Sequence, residues 1–232
     1  MQGNARPVDP EEVTDKEGEY LVKLARRSIE YYFTYRRRMT TPQDASAKLY
    51  RPGMAFVTIE TYYGDEKREL RGCIGSTAPV KSLIDTVIEV ALESAFSDPR
   101  FPPMEEHELD QVTFEVSVLS EFEYLGDTPE ERISNVKIGR DGLIVDAGVA
   151  KGLLLPVVPV EYVWDKQTFL SQTCIKAGLW PDCWLKPEIK VYRFRARVWR
   201  EKYPRGPIEP RDMTKEYVKK LESAGINVEE FE

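Results

Sequence analysis

Cys73 and Arg71 stand two positions apart in the segment Leu70-Arg71-Gly72-Cys73-Ile74-Gly75. On an extended strand that spacing puts a thiol and a guanidinium on one face, about 6–7 Å apart. A cation at that distance favours thiolate over thiol, so the pair reads as a candidate nucleophile or redox centre, with Arg71 as its activator and as an anion clamp. Leu70, Gly72 and Ile74 fall on the other face, while Gly72 and Gly75 leave space for a ligand or a second backbone. Glu115 and Ser117 share a face of Thr113–Leu119. If that face adjoins the first, a thiol, a hydroxyl, a carboxylate and a cation meet, with Glu115 as acid–base, and no metal is needed. Asp98, Arg100 and Phe101 belong to Asp98-Pro99-Arg100-Phe101-Pro102-Pro103, whose prolines fix the backbone that carries them. The rival for Cys73 is an inert, buried cysteine, since free cysteines are among the most buried residues; spacing leaves both open.

Composition removes other chemistries. The chain has 33 basic and 40 acidic residues and a formal charge of −7, which disfavours phosphate backbones as partners. Two basic features stand against that balance. One is a helical stripe of Lys23, Arg26, Arg27 and Arg36 to Arg38 among Tyr31, Tyr32, Phe33 and Tyr35; the other is a ladder of Arg193, Arg195 and Arg197. Each is equally a solvated face paired with acids. One histidine, His107, and no CxxC pair exclude the common zinc and iron–sulfur sites, so neither metal nor cofactor is expected. His107 lies in a charged stretch and reads as a surface residue. The three cysteines, odd in number and far apart, suit free thiols in a reducing compartment, with Cys174 in a core and Cys183 open between packing and surface. No apolar run approaches the length of a membrane span, and residues 1–19 hold acids and prolines where a secretory signal needs apolar residues, so the expected location is cytoplasmic.

The elements that must position these groups follow from periodicity. After an acidic, flexible leader over 1–19, three- and four-residue recurrence predicts helices at Tyr20–Arg38 and Ser82–Ala95, and Asp165 caps a third running to Ala177. Strands are expected at Met54–Thr61, Glu69–Ile74, Thr113–Leu119 and Ile189–Arg200, the first two joined through Tyr63-Gly64-Asp65. Leu143–Asp146 and Gly152–Leu155 suggest a small second sheet, and a charged helix is expected at Thr214–Ser223.

The hexapeptide Leu70–Gly75 resembles the signature of the AMMECR family. Further blocks match in order: Ala95–Pro103, Glu115–Ser120, Gly152–Pro156 and Phe169–Leu179. The resemblance implies an α+β fold of two lobes, a larger antiparallel sheet flanked by helices (20–123 plus 188–232) and an inserted smaller lobe (124–187), with the hexapeptide facing a cleft between them. It also implies Memo-type and radical S-adenosylmethionine proteins as partners, whose iron–sulfur chemistry would lie outside this chain. The function then expected is a cleft-based enzyme or accessory subunit centred on the hexapeptide, the alternatives being a non-catalytic protein-binding module and a nucleic-acid-binding protein.

Overall fold

A computed structural model describes residues 6–64 and 67–226. In chain order the elements are α1 (Asp15–Tyr35), β1 (Met54–Tyr62), β2 (Arg68–Ser76), α2 (Leu83–Phe96), β3 (Val112–Leu119), β4 (Glu123–Tyr124), α3 (Pro129–Asn135), β5 (Asp141–Asp146), β6 (Lys151–Leu154), α4 (Val157–Glu161), α5 (Lys166–Lys176), β7 (Lys190–Glu201), β8 (Ile208–Pro210) and α6 (Met213–Ser223). The fold is α+β, and the strand pairs β1–β2, β1–β3, β4–β7, β5–β6, β5–β7 and β7–β8 are antiparallel. The chain divides into two compact units, Met1–Ser120 with Arg197–Arg211 and Glu121–Ala196 with Asp212–Glu232. The division differs from the expected one because β7 is shared. Its residues Lys190 to Arg195 pair with β5, whereas Trp199 to Glu201 pair with β8. The tail helix α6 also goes to the second unit, where the Tyr217 hydroxyl donates to the Trp164 carbonyl at 2.6 Å.

In the first unit, α1 starts at Asp15, five residues before its expected start. The Thr14 hydroxyl accepts from the Glu17 amide, and the Glu17 carboxylate accepts from the Thr14 amide, a reciprocal cap that satisfies two orphan donors. Val8 and Val13 are buried, so the segment expected to be a leader is packed structure from there on; its first five residues lie outside the described ones. Asp65, in the expected β1–β2 turn, does too. The strands run β2-β1-β3, with β2 at the edge. Leu21, Leu24 and Ile29 of α1, Ile84, Val87 and Ile88 of α2, and Val57, Ile59, Val116 and Val118 of the sheet form one core with no solvent exposure. Strand β3 is buried along its whole length rather than on one face. Arg26 is not part of a solvated stripe: it is 5 % exposed, ion-paired with Glu201 and bonded to the carbonyls of Leu109 and Val112. Arg197, from the ladder, binds Asp15 and the Val13 carbonyl.

In the second unit β5 and β6, expected as a small second sheet, pair as a hairpin that β7 and β4 extend. Arg193 is paired with Glu123 at 2.7 Å, so this rung of the ladder also faces an acid. Arg132, fully buried, donates to the carbonyls of Gly126, Trp184, Lys186 and Ile189, which ties two loops to α3 through one cation. No described helix is long and apolar enough to cross a membrane.

The expectation of three free thiols is corrected here: Cys174 and Cys183 form a disulfide, and Cys73 alone is free. After α5 ends, Gly178 takes a left-handed φ of 76° and the chain turns back, bringing the two Cα atoms to 5.8 Å, within bridging range. Both sulfurs sit in buried residues. With the cysteines nine positions apart, loop-closure entropy predicts that the Cys174→Ser/Cys183→Ser double variant loses about 2.5 kcal/mol, read as a lower denaturation midpoint.

Candidate functional site

Hexapeptide Leu70–Gly75 forms most of β2, and one residue of α2, Ser94, explains its first glycine and its seam with β1. A Cβ at Gly72 would lie 2.1 Å from the Ser94 carbonyl oxygen, so the last turn of α2 rests directly on the strand and only glycine fits. The Ser94 hydroxyl accepts from the Ile74 amide at 2.9 Å and is 2.8 Å from the Val57 carbonyl and 2.7 Å from that of Val90. It therefore bridges β1, β2 and its own helix. At Gly75 a Cβ would meet the Phe56 ring at 2.2 Å, so that ring covers the second glycine.

Between Ile59 and Glu60 the register shifts: Ile59 pairs with Gly72 and Glu60 with Leu70, leaving Arg71 without a partner across the ladder. This β-bulge breaks the strict alternation from which Arg71 and Cys73 were expected to face the same way. The Arg71 guanidinium instead grips Glu108, at 2.6 and 3.0 Å. Glu108, though partly desolvated, is held below the usual carboxylate range by that contact. Phe101 lies against Arg71 and Arg100, 5.9 and 5.5 Å from ring centroid to guanidinium carbon.

The cation at Cys73 is Arg100. Asp98 Oδ2 accepts from the Cys73 amide at 2.8 Å, and Arg100 Nη2 donates to the Cys73 carbonyl at 3.1 Å. The same two side chains bind each other, Arg100 Nη2 to Asp98 Oδ2 at 2.6 Å. Asp98 and Arg100 thus occupy the outward backbone groups of the edge strand as a neighbouring strand would. Arg100 holds the Asp98 carboxyl at about 2 against an ordinary 3.8; burial opposes this and the Cys73 amide adds to it.

The Cys73 side chain is half-buried and sits in a row formed by strand register: Cys73 pairs with Thr58, and Thr58 with Glu115. The Thr58 hydroxyl is 3.3 Å from Cys73 Sγ. Glu115 is 3 % exposed and ion-paired at 2.8 Å with Arg211, itself almost wholly enclosed. Ser117 lies in the next row, opposite Phe56, which in turn pairs with Gly75. Burial pushes the thiol up; Thr58 and Arg100 pull it down, and Glu115 and Asp98 add to the rise. The net direction is toward thiol, opposite to the activation expected from Arg71. Leu70 remains exposed at 42 % and Arg100 shows 47 % of its side chain to solvent, whereas His107 is an exposed residue 3.3 Å from Glu105.

Besides Glu108, three participants were not found from the sequence. Thr58 lay in an apolar run, Ser94 among helix-face residues, and Arg211 is 96 positions from Glu115. Only Ser94, a polar residue on an otherwise apolar helical face, left a trace.

A family model, AMMECR1, matches residues 22–199 and so takes in the hexapeptide, the Asp98–Arg100 brace and Glu115. The chain belongs to the AMMECR1 family. A Thermococcus gammatolerans protein is 50 % identical over 196 residues, 84 % of this chain and 96 % of the relative. An Aeropyrum pernix protein is 47 % identical over 221 residues, 95 % of this chain and 94 % of that one. The crystal structure of the uncharacterized protein PH0010 from Pyrococcus horikoshii superposes with a TM-score of 0.83 at 46 % identity, covering 87 % of this chain and 99 % of that one. Within this AMMECR1-family fold the brace has a pH signature. Asp98 titrates lower when folded than when unfolded, so its stabilisation is complete above about pH 4 and is lost as pH falls through 2. The shift corresponds to about 2 kcal/mol. Asp98→Asn is expected to flatten that part of the stability–pH curve, measured by denaturant titration from pH 5 to pH 2.

Proposed function

We propose that this chain is an accessory, partner-binding subunit that presents a preset surface around Leu70, Cys73 and Arg100, and not a catalyst that uses Cys73 as nucleophile. The observation that carries this reading is the commitment of every charged group around the thiol. Asp98 is bound to Arg100 and to backbone, Glu115 to Arg211, and Arg71 to Glu108. A general base needs a proton-accepting oxygen free to reach substrate, and a thiol nucleophile needs a lowered pKa. Neither condition is supported here, since burial drives the thiol the other way. A recognition surface, by contrast, gains from side chains whose rotamers are already fixed, because less ordering entropy is lost on binding.

The partners proposed are those implied by the family resemblance, Memo-type and radical S-adenosylmethionine proteins, with any redox or radical chemistry supplied by them. Leu70 would contribute apolar contact area and Arg100 a charge-assisted hydrogen bond at the rim.

Capture of a purified Memo-type or radical S-adenosylmethionine partner separates the two roles. Leu70→Asp and Arg100→Glu should each weaken capture by about tenfold, whereas Cys73→Ser, which keeps a small polar group beside Thr58, should stay within about twofold. Iodoacetamide at neutral pH should modify Cys73 more slowly than an unhindered thiol. Fast alkylation, together with loss of a measured activity in Cys73→Ser but not in Leu70→Asp, would overturn the reading in favour of catalysis.

A further inference from the structure

The second unit carries a strained loop whose aromatic residue Tyr162 faces solvent. Val163 has φ of 53°, in the left-handed region where a β-branched side chain clashes with its own backbone. The residues on either side of it stack: the Tyr162 and Trp164 rings have centroids 5.1 Å apart and planes 17° from parallel. Tyr162 is nonetheless 66 % exposed, so one face of the stacked pair is directed at water.

The loop is braced from behind. The Tyr217 hydroxyl of α6 donates to the Trp164 carbonyl at 2.6 Å, and the Trp164 amide donates to the Pro159 carbonyl at 2.9 Å. Lys220 reaches the Glu161 carbonyl at 3.3 Å. Burial, with Asp165 nearby, pushes the Tyr217 hydroxyl up to about 12, so the brace stays a donor across the physiological range. Glycine at position 163 would make the same turn without the clash. A chain with valine there, which holds the Tyr162 ring outward against the half-buried Trp164 at a conformational cost, is spending stability on a shape.

We infer that the Tyr162–Trp164 pair is a recognition site for the guanidinium group of an arginine on a basic protein segment. A flat, weakly hydrated guanidinium stacks on an aromatic face more readily than a compact ammonium does. Charge favours this occupant over the other planar group that stacks on aromatics, a nucleobase. The charges beside the pair, Glu161 and Asp165 against Lys166 and Lys220, balance, and the net −7 of the whole molecule then attracts a basic segment and repels phosphate. The inference uses residues of the second unit only and does not depend on the role proposed for Cys73 and Arg100.

Titration of the full chain with acetyl-Gly-Arg-Gly-amide tests it, followed by the Trp164 indole N–H resonance, which a Trp164→Phe spectrum assigns. The expected result is a saturable shift of that resonance, with the lysine analogue binding more weakly. Tyr162→Ala should weaken arginine-peptide binding by about two- to fivefold, the range of an exposed cation–π contact. Val163→Gly should keep the fold, raise the melting temperature and still weaken binding, because the loop is no longer held in one shape. No saturable shift at millimolar peptide, equal affinity in Tyr162→Ala, or unchanged affinity in Val163→Gly would each overturn the inference. So would a short single-stranded oligonucleotide that shifts the resonance while the arginine peptide does not.

Discussion

An edge strand has a row of amide and carbonyl groups that must be satisfied or left to water, and β2 meets that demand at Cys73 with two side chains from one short turn. Asp98 takes the amide, Arg100 takes the carbonyl, and the two bind each other. The proline-fixed backbone of Asp98 to Pro103 lowers the entropy cost of holding both groups in place. From this closure the rest of the site follows. Cys73 is pinned through its backbone, so its side chain must lie in the row with Thr58 and Glu115, and Arg100 becomes the nearest cation by construction. An edge blocked in this way also cannot accept another strand at that point, which protects the unit from edge-to-edge association.

The fold was legible where local rules act alone. The apolar recurrence of α2, the strand at β3, the β1–β2 hairpin and the Asp165 cap of α5 could each be read from a few adjacent residues. The start of α1 was legible too: Thr14 and Glu17 have capping-box spacing, but the surrounding acids and prolines disguised it as a leader. The site was legible in its membership and not in its wiring. Cys73, Asp98, Arg100 and Glu115 do come together in the first unit, yet the partner of each charge was set by distant chain. Arg211 reaches Glu115, and Glu108 takes the guanidinium that spacing assigned to the thiol. The bulge at Arg71 is the reason the spacing argument failed, because a period of two survives only while both strands advance together. The disulfide failed for a related reason: Cys174 and Cys183 become neighbours only once a left-handed glycine reverses the chain.

Charges inside this molecule are met in two different ways. In the first unit Arg26, Arg71 and Arg100 each face a carboxylate, so their surroundings change when acids titrate. Arg132 in the second unit is surrounded by carbonyl dipoles, which do not titrate. Dipoles offset less of the desolvation cost than an opposite charge does, but a cation held by four of them fixes the directions of two loops at once.

The Ser94 hydroxyl has one hydrogen and two carbonyls within reach, that of Val57 in the sheet and that of Val90 in its own helix. At any instant the proton completes either the sheet seam or the helix turn, and the oxygen continues to hold the Ile74 amide in both cases. The bond between helix and signature strand is thus a rotor with two settings. Rotation of one O–H, without movement of any heavy atom, changes which carbonyl is bonded while the hold on the Ile74 amide is kept.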